Sequence, residues 1–412
     1  MRIGILTFHS QLNYGGVLQC WALQTALEKM GHKVVVIDRW LAPDNWPLER
    51  GYNRKQKKWW LRFWIRSLLG LGDMRFWLRV RRTKRFIREK LHLTPYHFCD
   101  WKDAPRDLGV DMIVVGSDQV WRCATTDPRP YLLNEAPNVP AIAYAASFGL
   151  PRLPVHLFEA LPHAPVVDSI SVYKEGLSRF GAISCREMEG VGICESLGFQ
   201  ACHVLDPTQL LTREDWQMMA FPSKNEKYSS ESGNLVCYFL KEDVDSAIPL
   251  LRHFAQKATC GVRVFVYDRQ RVNDFIPAPT SLSKSLKWIQ GLRSRRSPVT
   301  ICESCGPMEF LKAHATARWI LTDSFHSLMF AIIFGKDVRV LAPKNDNRRV
   351  MFARMEEIAA HMSHKIICQN VSEALNSFLA NEHKPDMDFS WLKQKRASSV
   401  EFLGRGLTGN FV

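Results

Sequence analysis

The chain of 412 residues is 46% hydrophobic, which is enough for two or three domains with cores of their own. It has no apolar run approaching the roughly 18 residues of a transmembrane helix, and residues 2–6 already resemble a strand, so we expect neither a transmembrane helix nor a signal peptide. The net charge is +14, but residues 50–90 alone hold fifteen Lys or Arg against two acids, so the basic character belongs to one segment.

The eleven cysteines are scattered along the chain. Their odd number and irregular spacing predict free thiols in a reducing cytoplasm. Cys302 and Cys305 form the only CxxC pair of the sequence, and because no second pair follows, we expect no zinc site.

The first elements predict a doubly wound opening. Residues 2–8 alternate as a strand, a glycine turn follows at 13–16, a helix is predicted over 17–30, and a second strand over 33–38. This order is typical of a parallel sheet with a right-handed crossover. The turn lacks the G-x-G-x-x-G spacing of dinucleotide sites. Its glycines either turn the chain or form a substrate loop at a strand's carboxyl end.

A basic insertion is predicted at about 50–92. Apolar residues recur at helical spacing over 57–66 and 75–82, with a glycine-containing break at 70–73, which predicts two helices. Trp and Arg together are typical of a membrane interface, where indoles lie at headgroup depth and cations meet anionic lipid. The same composition could bind nucleic acid, or the Trp face could pack on the domain. We expect residues 54–88 to contact an anionic membrane surface and no nucleic acid.

Polar residues follow several predicted strands of the first half. These strands are predicted at 111–115, 141–145 and 182–184. Asp118 could act as a base, hydrogen-bond a sugar hydroxyl or cap a helix, and Trp121 could stack on a sugar face. Arg186 could hold a carboxylate or phosphate by two parallel hydrogen bonds, or it could pair locally with Glu187.

A second α/β pattern follows a polar stretch at 221–233. Strands are predicted at 235–240, 262–267, 319–321 and 338–341. Ser324 and His326 lie where the strand 319–321 ends and an apolar helix over 327–334 begins. Free backbone N–H groups at a helix start favour an anion, and histidine can transfer a proton near neutral pH. An ordinary helix cap followed by a packed histidine would give the same pattern.

These elements predict a GT-B-like α/β fold, in which two doubly wound Rossmann-like domains face a cleft and one carries a basic helical insertion. The predicted parts are 1–220 for the first domain, 221–233 for the linker, 234–385 for the second domain, and 386–412 for a C-terminal helix and tail. By analogy with this layout, the first domain binds the acceptor and the second binds the anionic donor.

Seven motifs, taken in order, resemble those of the polysaccharide pyruvyl transferase family. They are Asn13-Tyr14-Gly15-Gly16-Val17-Leu18-Gln19, Val115-Gly116-Ser117-Asp118-Gln119-Val120-Trp121, Tyr144-Ala145-Ala146-Ser147-Phe148-Gly149, Ile183-Ser184-Cys185-Arg186-Glu187, Leu205-Asp206-Pro207-Thr208, Gly306-Pro307-Met308-Glu309-Phe310-Leu311 and Thr322-Asp323-Ser324-Phe325-His326-Ser327. Ser327 stands where many relatives have glycine, and Ser324 where some have arginine. The resemblance implies a GT-B-like fold and the transfer of pyruvate from phosphoenolpyruvate to a sugar as a ketal.

The residues and the resemblance together suggest a set of roles. We expect catalysis by His326, Arg186 and Asp118. Phosphoenolpyruvate would contact Arg186, Ser324, Phe325, His326, Ser327, Arg348 and Arg349. The acceptor would contact Asn13, Tyr14, Gly15, Gly16, Asp118, Gln119 and Trp121. No metal or cofactor is expected, since phosphoenolpyruvate serves as co-substrate.

The expected activity is therefore a bacterial pyruvyltransferase of cell-surface polysaccharide (exopolysaccharide or capsule) biosynthesis. Its acceptor would be a sugar, linked to polyprenyl diphosphate, at the cytoplasmic face of the cell membrane, to which the protein binds peripherally. Two alternatives stay open. One is a GT-B glycosyltransferase using a nucleotide sugar, whose diphosphate Arg186 and His326 could bind equally well. The other is a non-enzymatic membrane or nucleic-acid adaptor that uses the basic segment.

Overall fold

The computed structural model describes residues 1–10, 12–40, 74–123, 127–157, 167–222, 233–240, 242–266, 298–343, 349–380 and 388–409. Within these ranges, the strands form two sheets, and every strand pair is parallel. The first sheet contains β1 (Arg2–Leu6), β2 (Lys33–Arg39), β3 (Leu93–Phe98), β4 (Met112–Val115), β5 (Ala141–Ala146), β6 (Ala182–Cys185) and β7 (Cys202–His203). The second contains β8 (Leu235–Phe239), β9 (Val262–Val266), β10 (Val299–Ile301), β11 (Trp319–Thr322), β12 (Asp337–Leu341) and β13 (Ile367–Cys368).

Helices cover the faces of both sheets. The first domain has α1 (Tyr14–Lys29), α2 (Met74–Lys90), α3 (Ser169–Leu177), α4 (Met188–Ser196) and α5 (Arg213–Ala220), with 3₁₀ turns at Trp101–Asp103, Arg129–Tyr131 and Pro207–Gln209. The second has α6 (Val244–Lys257), α7 (Pro307–Thr316), α8 (Phe325–Ile333), α9 (Arg349–Ala360) and α10 (Val371–Leu379), and α11 (Phe389–Thr408) ends the described chain.

Strand order places a ligand crevice in each domain. The first sheet has the order β3-β2-β1-β4-β5-β6-β7, so the direction of winding reverses between β1 and β4. The second has the order β10-β9-β8-β11-β12-β13, with its reversal between β8 and β11. Ligands bind outside the carboxyl ends of strands at such reversals. The prediction of two doubly wound domains is confirmed.

The central strands are buried on both faces, as parallel sheets covered by helices require. All six residues of β5 are buried, and its sequence, AIAYAA, is a continuous apolar run of small residues. The β-branched run of β2 is likewise mostly buried. Such runs are why the sequence identified these strands, whereas β7, β10 and β13, with two or three residues each, gave no usable pattern.

The domains meet through a buried aromatic cluster. Tyr14 at the start of α1 stacks on Phe310 of the second domain with ring centroids 4.6 Å apart, and lies 5.6 Å from Tyr238. Its hydroxyl donates to the carbonyl of Cys305 at 2.9 Å. The C-terminal helix α11 then returns to the first domain, where Ser399 accepts from the backbone N–H of Leu205 at 3.0 Å. The two sheet edges are thereby held face to face.

The glycine stretch at 13–16 is not the turn that the sequence predicted. The side chain of Asn13 accepts from the backbone N–H of Gly15 and caps α1, so Tyr14, Gly15 and Gly16 form the first turn of the helix. The glycines therefore occupy helical positions, and another reason must explain why they lack side chains. That reason lies in the site described below.

Part of the basic insertion is visible as α2, at the junction of the domains. Arg79 is buried, and its guanidinium donates to the carbonyls of Leu12 and Val266, each at 2.9 Å. Arg82 donates to the carbonyl of Ser304 at 2.8 Å. This part of the insertion thus packs between the domains, while the first predicted helix, over 57–66, lies outside the described residues. Among the described helices, none is both long and apolar enough to span a bilayer.

The remaining segment boundaries stay predictions. The described first domain runs through α5, and the second resumes shortly before β8, while residues 223–232 of the predicted linker are outside the description. Residues 267–297 are also outside the description, and they include the polar region 278–297 that the sequence indicates to be a surface excursion.

Candidate active site

The carboxylate of Asp206 is the most heavily hydrogen-bonded group where the two domains meet. Asp206 is 2% exposed and caps the 3₁₀ turn Pro207–Gln209. Its Oδ1 accepts from the backbone N–H and the hydroxyl of Thr208, at 3.0 and 2.7 Å. Its Oδ2 accepts from the hydroxyl of Ser117 and from Nη1 of Arg186, both at 3.0 Å. Four donors therefore fix this carboxylate in one orientation.

Asp206 is held in its ionised form. Burial alone would raise the pKa of this carboxyl, but the neighbouring His326 and Arg186 outweigh burial and hold the pKa well below its usual range. Nε2 of His326 lies 3.7 Å from Oδ2, which is longer than a hydrogen bond, so the attraction is one of charge. Asp206 consequently serves as a fixed negative charge beside an imidazole.

Arg186 follows β6 and is 3% exposed. While Nη1 pairs with Asp206, Nη2 lies 3.8 Å from Asp118 and Nε lies 3.9 Å from Glu187. Both distances exceed a hydrogen bond, so within the described residues Nε and Nη2 have no hydrogen-bond partner. These two nitrogens form one edge of the guanidinium fork, which matches the two oxygens of a carboxylate or phosphate.

Phe325 at the start of α8 lies between two guanidinium groups. Arg186 is 5.1 Å and Arg354 of α9 is 4.6 Å from the centre of its ring. Burial and, next, the charge of Arg186 lower the pKa of Arg354 to about 10, so this group stays protonated at neutral pH. Two nearby cations that repel each other favour a bound anion between or beside them.

Gly15 explains how His326 enters the site. A Cβ at Gly15 would overlap the His326 ring, so the imidazole can lie against the backbone of α1 only because position 15 is glycine. His326 is 7% exposed, and within the described chain its Nε2 makes no hydrogen bond. The side chain of a second-domain residue thus lies against the first turn of a first-domain helix.

Gly16 has the same role for Asp118. A Cβ at Gly16 would lie 3.1 Å from Oδ2 of Asp118, tighter than ordinary packing allows. Asp118 adopts φ 77°, a left-handed conformation that is uncommon for a residue other than glycine and is frequent at functional sites. The backbone N–H of Ser147 donates to its carbonyl at 3.1 Å and helps to hold this conformation. Asp118 is 7% exposed and faces Arg186.

The structure brings several of the predicted site residues together. Arg186, Asp118, Phe325 and His326 converge, and Gly15 and Gly16 make room for two of them. Ser324 precedes α8 and is 3% exposed, and its side chain makes no capping hydrogen bond. The first backbone N–H groups of α8 have no helical partner, as at any helix start, and add donors near the two arginines.

Other predicted residues have structural partners instead. Trp121 is fully buried and its indole N–H donates to the carbonyl of Tyr131, so, contrary to our expectation, its ring has no face free for a sugar. Tyr14 is likewise fully buried, with its hydroxyl on Cys305. Ser327 shares a hydrogen bond of 2.7 Å with the buried His314 beneath α8.

The last predicted positions lie at the rim or outside the description. Gln119 accepts from Nη1 of Arg122 at 2.9 Å and is partly exposed, and Asn13 is partly exposed beside Gly15. Arg348 lies outside the described residues, and Arg349 begins α9 with a side chain that is not described.

The predicted set of site residues did not include Asp206, Glu187 or Arg354. Asp206 was present in a motif but was given no role, although Asp-Pro-Thr is typical of a residue that caps a short helix. Glu187 is 4% exposed, and its Oε1 accepts from the hydroxyl of Ser147. Among the described residues, no group of three or more His, Cys, Asp or Glu side chains is arranged to hold a metal ion.

The protein has two domains, each with a parallel sheet, and the charged residues at the ends of their strands face each other where the domains meet. This arrangement is that of the GT-B fold. The model of the polysaccharide pyruvyl transferase family matches residues 13–345, so the chain belongs to this family. Among curated proteins, no sequence matches it.

Solved structures with the same layout are distant in sequence. MnaA of S. aureus, solved with UDP, is 11% identical with a TM-score of 0.50, covering 100% of this chain and 97% of that one. UDP-GlcNAc 2-epimerase from Methanocaldococcus jannaschii is 13% identical, with 99% of each chain covered and a TM-score of 0.49. That from Neisseria meningitidis, bound to UDP-GlcNAc, is 12% identical, with 100% of each chain covered and a TM-score of 0.49. At 11% identity, the likeness to MnaA shows the fold alone.

Proposed function

We propose that this protein transfers pyruvate from phosphoenolpyruvate to a sugar as a cyclic ketal in the biosynthesis of a cell-surface polysaccharide. The observation that carries the proposal is the edge formed by Nε and Nη2 of buried Arg186, which lies beside Asp118 and makes no hydrogen bond within the described residues, while Nη1 of the same group and His326 of the second domain both lie near Asp206. Membership of the pyruvyl transferase family supports the same reaction.

The donor has two anionic groups, a carboxylate and a phosphate, and the site has two buried guanidinium groups. Arg186 offers to one anion the edge that makes no hydrogen bond within the described residues, and Arg354 is the second cation near the ring of Phe325. The backbone N–H groups at the start of α8 add partial positive charge. The acids around Arg186 keep its orientation fixed without occupying that edge at hydrogen-bond distance.

The proposed reaction proceeds by one protonation and two additions. A proton is added to C3 of phosphoenolpyruvate, C2 becomes electrophilic, and the first sugar hydroxyl forms a C–O bond to C2 as it loses its proton. Phosphate then leaves with the electrons of its bond to C2. The second hydroxyl forms the other C–O bond, loses its proton and closes the ketal.

Two residues are suited to the proton transfers. His326 is one, because an imidazole is suited to general acid–base catalysis, and its Nε2 lies 3.7 Å from the carboxylate of Asp206. Asp118 is a carboxylate on the acceptor side of Arg186 and can take the hydroxyl protons. Asp206 is a positioning residue, because its four hydrogen bonds leave it no part in the proton transfers.

The first test measures phosphate release from phosphoenolpyruvate with galactose-, glucose- and N-acetylmannosamine-containing acceptors, some of them lipid-linked, with mass spectrometry of the product. A product heavier by a pyruvate ketal supports the proposal. Arg186→Ala and His326→Ala should each lower kcat at least a hundredfold while the fold survives. Arg405→Ala and His361→Ala, at exposed or half-exposed positions in other surroundings, are matched controls.

Turnover of a nucleotide sugar in place of phosphoenolpyruvate would contradict the proposal and favour a glycosyltransferase. So would near-normal rates in both folded site variants, because the roles assigned to Arg186 and His326 would then be wrong.

We also propose that the acceptor is lipid-linked and that residues 54–88 bind the anionic surface of the membrane. The described end of this segment adds exposed cations, since Arg81, Arg85 and Arg88 of α2 are exposed, although Arg85 pairs with Glu89 at 2.8 Å. The test is co-sedimentation with vesicles containing anionic lipid at low salt. Because Arg79 connects the domains, the variant should keep α2 and reverse only Lys55, Lys57 and Lys58 to Glu. Unchanged sedimentation of this variant, or no sedimentation of the wild type, would refute the idea.

A further inference from the structure

A second buried arginine, Arg39, lies at the same edge of the first sheet and has no counter-ion among the residues that the structure describes. Arg39 ends β2 and is 7% exposed, with its guanidinium 4.9 Å from the centre of the Tyr131 ring. Its Nε and Nη1 make no hydrogen bond, and within the described chain it has no carboxylate partner. The neighbouring Asp38 is engaged elsewhere, with His9 and Trp40.

This lack of a partner distinguishes Arg39 from Arg186. A buried charge is unfavourable unless it is paired, and Arg186 has three acids within 4 Å. Tyr131 cannot supply the missing charge, because burial raises the pKa of its hydroxyl even though Arg39 opposes that shift. The ring face and a neutral hydroxyl compensate only part of the cost of burying a guanidinium. An anion from outside the described chain would complete the site.

The position of Arg39 relative to Asp118 indicates which substrate that anion belongs to. Arg39 lies over the ring of Tyr131, and both Arg39 and Asp118 are near enough to affect the pKa of the Tyr131 hydroxyl. In the strand order β2-β1-β4 the strands that carry them are two apart, about 10 Å between their backbones at the usual spacing. Arg186 follows β6, four strands from β2, so along this edge of the sheet Asp118 is nearer to Arg39 than Arg186 is.

We propose that Arg39 binds an anionic group of the acceptor, a phosphoryl or a carboxylate group, while the acceptor hydroxyls lie at Asp118. The inference rests on the proposed function and specifies its acceptor as an acidic sugar. The separation fits one sugar ring that presents hydroxyls at one end and an anion at the other. The phosphoryl group would come from a carrier-linked sugar, and the carboxylate from a uronic acid.

The test compares three acceptors: a hexose 1-phosphate, a methyl hexuronoside and the neutral methyl hexoside. In Arg39→Gln, the preference for one charged acceptor over the neutral one, measured as a ratio of kcat/KM, should fall at least tenfold. Loss of preference for the phosphate identifies a phosphoryl ligand, and loss for the uronoside identifies a carboxylate. Arg179→Gln is the control, because Arg179 donates only to backbone carbonyls of the same domain.

The same ratios in wild type and in folded Arg39→Gln would overturn the inference. If Arg39→Gln does not fold, Arg39→Lys retains the charge without the fork and should lower the ratio about threefold, and an unchanged ratio there would also overturn it.

Calorimetric binding separates this inference from the proposed function. The hexose 1-phosphate and the hexuronoside are titrated without phosphoenolpyruvate into the wild type and both Arg39 variants. If one of them binds the wild type and binds a variant at least tenfold more weakly, the anion site stands even where no pyruvate is transferred. Equal affinities, or no binding of either compound to the wild type, would overturn the anion site even where transfer to a sugar occurs.

Discussion

The two sheet edges that face each other at the domain junction differ in chemistry. The first-domain edge is acidic, with Asp118, Glu187 and Asp206 around one arginine. The edge of the second domain has no acid in contact with that group among the described residues; it contributes an aromatic ring and the imidazole of His326 instead. Each edge alone would leave buried charges unpaired. The site is therefore complete only when the two domains are docked, because neither domain contains all of its charged groups.

We expect the largest effect on the pairing between the two sheet edges from the substitution Asp206→Asn. The amide removes the charge that faces both Arg186 and His326, and loss of one partner of a buried pair costs about 3–5 kcal/mol. We expect the free energy of unfolding to fall by about 3 kcal/mol and kcat to fall roughly a thousandfold. Urea unfolding and the phosphate-release assay measure the two quantities.

Asp215→Asn is the matched control for that variant. Asp215 pairs with the half-exposed Lys29 at 2.6 Å and caps α5, so its loss should cost about 1 kcal/mol and leave kcat unchanged. If the folded Asp206→Asn protein retained kcat within tenfold of the wild type, the acidic edge would be a scaffold and not part of the site.

The second-domain side of the junction can be tested by measuring the free energy of unfolding at several pH values. Burial lowers the pKa of His314 to about 4, and its ring lies between the carbonyl of Phe310 and the hydroxyl of Ser327. Because the pKa of His314 is lower in the folded than in the unfolded protein, the protonation of this residue favours unfolding. The free energy of unfolding is therefore unaffected above about pH 6.5 and falls as the pH is lowered towards 4. The loss amounts to roughly 3 kcal/mol.

His314→Gln removes that titration. The difference in free energy of unfolding between wild type and variant should shrink by about 3 kcal/mol between pH 7 and pH 4. Urea unfolding at several pH values measures it, and His361→Gln, at a half-exposed ring, is the control. A constant difference across the series would show that His314 is not held neutral by burial.

The contact between the two edges can be disturbed without changing any charge. Gly15→Ala places a Cβ in the space of the His326 ring, and such overpacking costs typically 1–3 kcal/mol. We expect about 2 kcal/mol of lost stability and at least a tenfold lower kcat, because the imidazole must move away from Asp206. Unfolding and steady-state kinetics measure both.

Gly192→Ala is the control for the effect of a methyl group on a helix. Gly192 lies in α4, where an added Cβ meets nothing within 4 Å, so alanine should stabilise the protein by up to about 1 kcal/mol. If Gly15→Ala behaved like this control, His326 would not lie against α1 in solution.

The sequence predicted nine of the thirteen described strands, since these are mostly apolar runs that end in polar residues. It did not predict β7, β10 and β13, which have two or three residues each, or β3, whose six residues include a proline and are only partly buried. It also located Arg186, Asp118 and His326, because each directly follows a strand or begins a helix. It could not show that Asp206 joins them, since that depends on contacts with Ser117 and Arg186, far apart in the chain.

The misjudged residues have a common physical cause. Trp121 and Tyr14 are amphipathic side chains next to site residues, and a sequence pattern cannot tell whether such a ring faces a ligand or the core. The sequence indicated that Gly15 and Gly16 are important, but it attributed their importance to a turn or a substrate loop. Their missing side chains accommodate groups from elsewhere in the fold, which only the tertiary structure reveals.

The smallest expected effect concerns the outer contact between the domains. Arg75 of α2 pairs with Glu303 at 3.0 Å, and its side chain is 50% exposed, whereas Arg79 one turn later is buried and donates to a carbonyl of each domain. Exposed pairs contribute about 0.2–1 kcal/mol and are screened by salt. The free energy of unfolding of Arg75→Ala should therefore fall by under 1 kcal/mol at low salt and by nothing measurable at 1 M salt.

The free energy of unfolding of Arg79→Ala should fall by more than that at every salt concentration, because the substitution leaves buried carbonyls without donors. Unfolding of both variants across a salt series measures the contrast. Equal losses would mean that the surface of the junction, and not its buried edges, determines how the domains dock.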